Sequence, residues 1–434
     1  MISKILWGPG MVFLLLFVGI LYTFLLKGFQ FTSAKEIFSK TVGSLFKKKD
    51  SAGGGISPFA AISTALAGTI GTGNIAGVAT AIVSGGPGSI FWMWISGFIG
   101  MITKYAEVVL AMKYRIRKNG EICGGPMYYI EKGTGMKWLG VLFAILCILV
   151  SFAMGAAVQS NSIADSLKLA FGIPEIVVGV GLAVICGFAI VGGARRIVKI
   201  TEFVVPIMAI FYIGGCVIFL ICKASYIPSA FAEIFRDAFN FKSAGGGVLG
   251  FGVSRAMRFG ISRGIFTHEA GLGAASIAHS SSNEKESAVQ GMWGIFEVFF
   301  DTILICTITA LVILTSGVSG ADGSILTALS FSTVFGDFGI YFIAIAITFF
   351  ATASVLGWAF YGQRALEYLS SSAKSDRLFK TVFIISIFAG SIASMQSIWE
   401  FSDILNGLIA LPNLAALILL APEVVRITNE YKKR

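Results

Sequence analysis

The chain has 434 residues, of which 56% are hydrophobic and only 13% charged, with a mean hydropathy of +0.84. Charged residues run at about half the share usual in soluble domains, so the apolar surface cannot be hidden from water and a soluble enzyme is excluded. The net charge of +10 does not point to nucleic acid. Its basic residues sit in loops between apolar stretches, a membrane-topology pattern.

Windows of about 20 apolar residues predict an all-α integral membrane protein with eleven transmembrane helices. They lie near 5–26, 57–84, 87–112, 138–167, 175–192, 200–222, 246–280, 288–316, 338–367, 379–396 and 401–425. The first is too long for a signal-peptide core, and Lys27 follows it without a small-x-small cleavage site, so it reads as a retained helix. With the loop 27–56 in the cytoplasm, 23 Lys and Arg fall in cytoplasmic parts and five outside. The N-terminus is then outside, the C-terminus inside, and the protein a multi-pass component of the cell membrane. The six cysteines are scattered without a CxxC pair, which suits neither a disulfide framework nor a zinc site.

Two of the stretches are unlike the rest. Residues 57–84 contain Ala67-Gly-Thr-Ile-Gly-Thr-Gly-Asn74, and 246–280 contain Arg263-Gly-Ile-Phe-Thr-His-Glu-Ala-Gly-Leu-Gly273. Gly and polar residues at mid-span disfavour a continuous helix and free backbone groups that lipid cannot satisfy. Five stretches begin with each, and five is odd, so the second unit runs opposite to the first. The result is a 5+5 inverted repeat with a broken first helix in each half, the usual pointer to a midplane site in a secondary transporter. The segments are 1–56 (extra N-terminal helix and basic connector), 57–223 (first repeat), 244–425 (second repeat) and 426–434 (basic tail).

A half-helix beginning near Thr72, Gly73 and Asn74 offers free amides and a positive dipole end, which suit a carboxylate. Upstream, the carbonyls of Ala67 and Ile70 are hard oxygen donors of the kind that suits Na⁺. In the stretch 338–367, Thr348, Ala351, Thr352 and Ser354 bring hydroxyls and carbonyls within about one turn, able to complete the ion's shell. Trp358 lies a turn beyond Ser354 and can wall a small pocket, and Gln159 is an uncharged hydrogen-bonding group among apolar neighbours. Each also has a packing reading, since small residues let membrane helices approach closely and hydroxyls bond back to their own helix. The repeat symmetry favours function, because it gathers these residues at one depth.

Charges inside spans are expensive and so are candidates by default. Lys104 and Glu107 read as an interfacial ion pair, and Glu297 and Asp301 as partners of Arg255, Arg258 or Arg263, a structural role favoured over proton coupling. Glu269 reads as a cap or a gate lock, and His268 and His279 show no metal spacing.

Gly85-Gly-Pro-Gly-Ser-Ile-Phe-Trp-Met-Trp94, Gly124-Gly-Pro-Met-Tyr-Tyr-Ile-Glu-Lys-Gly133 and the run Arg263–Gly273 resemble segments of the alanine or glycine:cation symporters, the sodium:alanine symporter family. The resemblance extends from about residue 57 to the last span. It implies the leucine-transporter type of fold and Na⁺-coupled uptake of small neutral amino acids, chiefly alanine and glycine, with no organic cofactor. In that fold the amides of Thr72 and Gly73, with Asn74 nearby, would receive the substrate carboxylate. Carbonyls of Ala67 and Ile70 with Thr352 would hold the sodium. Gly264, Ile265, Phe266 and Thr267 would offer carbonyls to the substrate ammonium, with Phe266 as a gate. Gln159 and Trp358 would restrict the pocket to short side chains.

Other classes fit less well. A channel would repeat one filter around a pore axis, whereas the two broken stretches differ in sequence. A membrane enzyme would need a His or carboxylate cluster at catalytic spacing, and His is scarce. Proton coupling, or another small or amide amino acid, is the alternative within transport. The lack of any acid in 67–74 favours Na⁺ bound by neutral oxygens. The expected partners are the amino acid and the lipid bilayer, and no nucleic acid.

Overall fold

The computed structural model describes residues 9–45, 55–118, 120–239 and 246–434. Positions 5–8 of the first predicted span and 46–54 of the connector lie outside them. The described chain is almost wholly helical. Helix α1 (Pro9–Leu25) is followed by short helical turns at Phe29–Thr32, Ala34–Lys40 and Val42–Leu45. Then come α2 (Pro58–Thr69), α3 (Ala76–Gly85) and α4 (Ser89–Lys113). An antiparallel hairpin, β1 (Ile116–Lys118) with β2 (Glu121–Cys123), leads to α5 (Pro126–Thr134). Helices α6 (Lys137–Phe171), α7 (Glu175–Val191), α8 (Ala194–Cys222) and α9 (Ile227–Ala238) complete the first part.

The second part opens with α10 (Gly246–His268) and α11 (Ser276–Ser280), followed by α12 (Ser287–Ser316) and α13 (Gly323–Phe335). It closes with α14 (Phe338–Leu369), α15 (Ala373–Ile392), α16 (Met395–Leu419) and α17 (Ala421–Lys432). Helix α13 occupies a stretch that hydropathy leaves as a connection. The predicted span 401–425 overshoots α16, because Pro422 sits in the first turn of α17, where a missing N–H starts a helix rather than continuing one.

Six helices among the described residues are long and apolar enough to cross a membrane: α4, α6, α8, α12, α14 and, over Ser397–Leu419, α16. Their exposure runs opposite to that of a soluble protein. Phe188, Phe203, Ile210 and Ile221 on α7 and α8 are each at least 70% exposed, while Lys104, Glu107, Glu269 and Asp301 are fully buried. Apolar side chains face the lipid and the polar ones face one another.

Two packing features position the interior. Helix α4 lies between α10 and α12, and α14 packs on α2, α6, α8 and α13. At the α2–α14 crossing, a Cβ on Gly357 would stand 2.5 Å from the amide nitrogen of Gly68, so the two backbones meet through paired glycines, as small residues permit in membranes. Helices α6 and α12 each contain a π-helical stretch, Ser151–Val158 and Phe299–Cys306. A π turn adds a residue to the turn and re-aims every side chain beyond it.

Candidate functional site

The first interruption runs from Ile70 to Ile75. Helix α2 starts well, with Ser57 accepting from the amide of Ala60 and Pro58 in its first turn. It stops at Thr69, where Ile70 turns extended. A single 3₁₀ turn, Thr72–Asn74, precedes α3. Thr72, Gly73 and Asn74 are all buried. Side chains from three helices close on the turn. Ser354 Oγ of α14 donates to the carbonyl of Ile70 at 3.1 Å. Gln159 Oε1 of α6 comes within 3.5 Å of the amide of Thr72. Asn74 accepts from the amide of Gly71 at 3.0 Å and donates to Asp301 Oδ1 at 2.6 Å. The hydroxyl of Thr72 is buried without a protein partner.

Gly71 is required by crowding. A Cβ there would stand 2.6 Å from Ser354 Oγ and 3.2 Å from Gln159 Oε1. Thus Ile70, Gly71, Thr72, Asn74, Gln159 and Ser354 meet at one point. Thr352 does not join them. It stands two residues from Ser354, about 200° round the helix, and is only half-buried. The geometry that turns Ser354 to the break turns Thr352 away. Trp358 is fully buried in α14, against Gly155 in the π stretch of α6 and edge-on to Tyr361.

The second interruption lies later than the sequence suggests. Helix α10 runs to His268, and 269–275 are unwound, with positive φ at Glu269 (52°), Gly271 (96°) and Gly273 (82°). Gly264, Ile265, Phe266 and Thr267 therefore form the last helical turn. The carbonyl of Gly264 accepts from Thr267 Oγ1 and that of Ile265 from the amide of Glu269. The next amides bond elsewhere: Ala270 to His268 Nδ1, Gly271 to Glu107 Oε1, and Leu272 to the carbonyl of Glu269. This leaves the carbonyls of Phe266, Thr267 and His268 without a backbone amide, so the available acceptors are two residues further on than Gly264 and Ile265. Phe266 and Thr267 also abut the first break, since a Cβ on Gly73 would lie 3.1 Å from Thr267 Cγ2 and 3.2 Å from Phe266 Cδ1. Phe266 stacks on Trp399 with ring centroids 5.3 Å apart.

The buried charges pair differently from expectation. Lys104 meets Glu297 at 3.4 Å, not Glu107. Glu107 accepts from the amide of Gly271 and from Asn413 Nδ2. Glu297 also accepts from His279 Nε2 at 2.8 Å, and Asp301 takes Asn74 and Thr302. The arginines go elsewhere: Arg255 donates to the carbonyl of Ser84, and Arg263 lies over Phe266 and Trp399. A regular helix would put Glu297 and Asp301 on one face, but the π turn beginning at Phe299 separates them. Asp301 thus meets Asn74 at the first break, where the sequence pairs it with an arginine. Its only signal was a carboxylate at membrane depth.

The sodium:alanine symporter family matches residues 1–434. A sodium/alanine symporter of Methanococcus maripaludis is 42% identical, with 100% of this chain and 96% of the relative covered. Among solved structures, a Na⁺-coupled sialic acid symporter in a substrate-bound outward-open state superposes with a TM-score of 0.55 at 16% identity, covering 97% of this chain and 86% of its own. MhsT in complex with L-phenylalanine gives 0.56 at 14% identity, covering 83% and 88%. Both have the leucine-transporter type of fold. The chain is a membrane transporter, an amino-acid:cation symporter that belongs to the sodium:alanine symporter family.

Proposed function

We propose that the chain imports small neutral amino acids, alanine and glycine, driven by Na⁺ entering with them across the cell membrane. The observation that carries this reading is the reach of Ser354 Oγ to the carbonyl of Ile70 beside Gly71. Two uncharged hard oxygens from different helices meet at a break in the chain. With the carbonyl of Ala67 they supply neutral donors, which suit a monovalent cation better than a proton. In this reading the substrate carboxylate lies on the amides of Thr72 and Gly73 with Asn74 beside it. The ammonium takes the carbonyls of Phe266 and Thr267, and Gln159, Phe266 and Trp358 limit the side chain to a few atoms.

An ion bound between Ile70 and Ser354 ties α14 to the first break and holds its amides in the substrate's conformation. Each ligand then raises the affinity for the other, as linkage requires. Rocking of one inverted unit against the other, N-terminus outside, exposes the loaded site to the cytoplasm. The name of the Methanococcus maripaludis relative supports the same ion and solute here. The test is uptake of radiolabelled alanine and glycine into proteoliposomes under an inward Na⁺ gradient, with K⁺ or a proton gradient substituted. Accumulation with Na⁺ alone is expected; accumulation driven equally by protons without Na⁺ would overturn the reading.

A further inference from the structure

Four carboxylates among the described residues are fully or almost fully buried: Glu107, Glu269, Glu297 and Asp301. Three of them have protein partners. Glu107 accepts from the amide of Gly271 and from Asn413, Glu297 is held by Lys104 and His279, and Asp301 by Asn74 and Thr302. Glu269 is the exception, because neither of its oxygens has a hydrogen-bond partner in the protein. It is 0% exposed and lies in the unwound stretch between α10 and α11, with a left-handed φ of 52°.

The groups facing Glu269 offer it one cation, Lys104, which also faces Glu297 and Glu107. On helix α4, Lys104 stands 3.4 Å from Glu297 and makes no hydrogen bond to Glu269. Helix α12 brings Glu297 and Asp301, both of the same sign. Helix α14 brings Trp358, whose indole Nε1 faces the carboxyl but stops short of hydrogen-bond geometry, and Tyr361, whose hydroxyl is bonded to the carbonyl of Ala65. Helix α6 brings the thiol of Cys147, and the preceding residue, His268, spends its ring nitrogens on Ser96 and the amide of Ala270. No three His, Cys, Asp or Glu side chains converge among the described residues, so a transition-metal ion finds no side-chain shell here. An isolated ionised carboxylate in such a place is far costlier than a neutral one.

The geometry points to Glu269 as a proton-binding site. Its carboxyl takes one proton from water as the second break closes, forming an O–H bond on one carboxylate oxygen, and returns it to water when the break opens. Closing the transporter on its substrate therefore consumes a proton, and substrate affinity falls as pH rises. The inference rests on the transport reading but not on which ion or amino acid is carried.

The test begins without substrate. Glu269→Gln copies the shape of a neutral carboxyl, so this variant should fold and hold a thermal midpoint at or above the wild type. The wild-type midpoint should fall relative to the variant's as pH rises from about 5 to about 9, because unfolding near neutral pH releases the proton. The infrared band of a protonated carboxyl should disappear in the variant. Substrate binding in weak buffer with a pH-indicating dye should then take up a further fraction of a proton in the wild type, from molecules whose second break is open before binding, and none in the variant. A variant far less stable than the wild type, an unchanged infrared spectrum, or equal proton uptake by both proteins would each overturn the proposal. Failure to bind alanine or glycine, by contrast, would strike the substrate assignment and leave the infrared and stability arms standing.

Discussion

Ser354 Oγ donates to the carbonyl of Ile70 across 3.1 Å, and that reach depends on two glycines within a turn of them. Gly68 and Gly357 let α2 and α14 approach until a Cβ on Gly357 would be 2.5 Å from the Gly68 nitrogen. The clash is with backbone, so it cannot be relieved by rotating a side chain. Gly357→Ala should part the helices, abolish uptake and cost about 1–3 kcal/mol of stability, the usual range for overpacking. Thermal unfolding in detergent and a transport assay read both effects. Uptake at the wild-type rate would contradict this account of the crossing.

Gly71→Ala acts more locally. The new methyl would meet Ser354 Oγ at 2.6 Å and Gln159 Oε1 at 3.2 Å, both on side chains that can yield. The protein should fold, while substrate and cation affinity each fall by roughly tenfold or more, since about 1.4 kcal/mol is a factor of ten. Equilibrium binding at several cation concentrations measures this directly.

Lys104→Met should be among the most damaging substitutions away from the two breaks. It removes the cation from a fully buried pair and leaves Glu297 with His279 alone. Breaking such a pair from one side costs about 3–5 kcal/mol, whereas replacing both charges is far milder. Lys104→Met with Glu297→Gln should therefore recover much of the stability lost by the single variant. Equal destabilisation by the single and the double variant would mean the pair does not act as a unit.

On the hairpin between α4 and α5, Glu121 joins Arg364 at 2.6 Å and Arg195 at 2.8 Å. Burial raises its carboxyl, but the two guanidiniums outweigh that and hold it below the usual carboxylate range. A depressed folded value means the contribution is present at neutral pH and lost as pH falls through the acid range. Glu121→Gln should lower the thermal midpoint at pH 7, by an amount equivalent to about 1–2 kcal/mol for a half-exposed network. The difference from wild type should shrink on acidification. A difference that stays constant from neutral to acid pH would rule the carboxylate out as its source.

The first break was legible because its causes are local. Gly71 and Gly73 with Asn74 stand in an apolar run, and nothing but a turn accommodates them at that depth. Ser354 and Gln159 were also legible, as polar residues facing inward on helical spacing. The second break was displaced because Gly264 reads as a helix breaker, yet it serves as a contact glycine: a Cβ there would lie 3.0 Å from Ser96. The positive φ values at Glu269, Gly271 and Gly273 set the real end of α10. The sequence groups Thr352 with Ser354 because composition within a turn does not say which face looks inward, and the structure puts the two on different faces. The pairing of Lys104 with Glu297, and of Asn74 with Asp301, joins residues 193 and 227 positions apart. Only the tertiary arrangement and the π turn in α12 bring them together.

The measurement that bears most directly on the central claim is the Na⁺ dependence of alanine binding to purified wild-type protein and to Ser354→Ala. The account predicts that wild-type affinity for alanine rises with Na⁺. The variant should need about tenfold more Na⁺ to reach the same alanine affinity, with binding at saturating Na⁺ little changed. Identical Na⁺ dependence in the two proteins, or alanine binding in the wild type that ignores Na⁺ altogether, would contradict a cation held between Ile70 and Ser354.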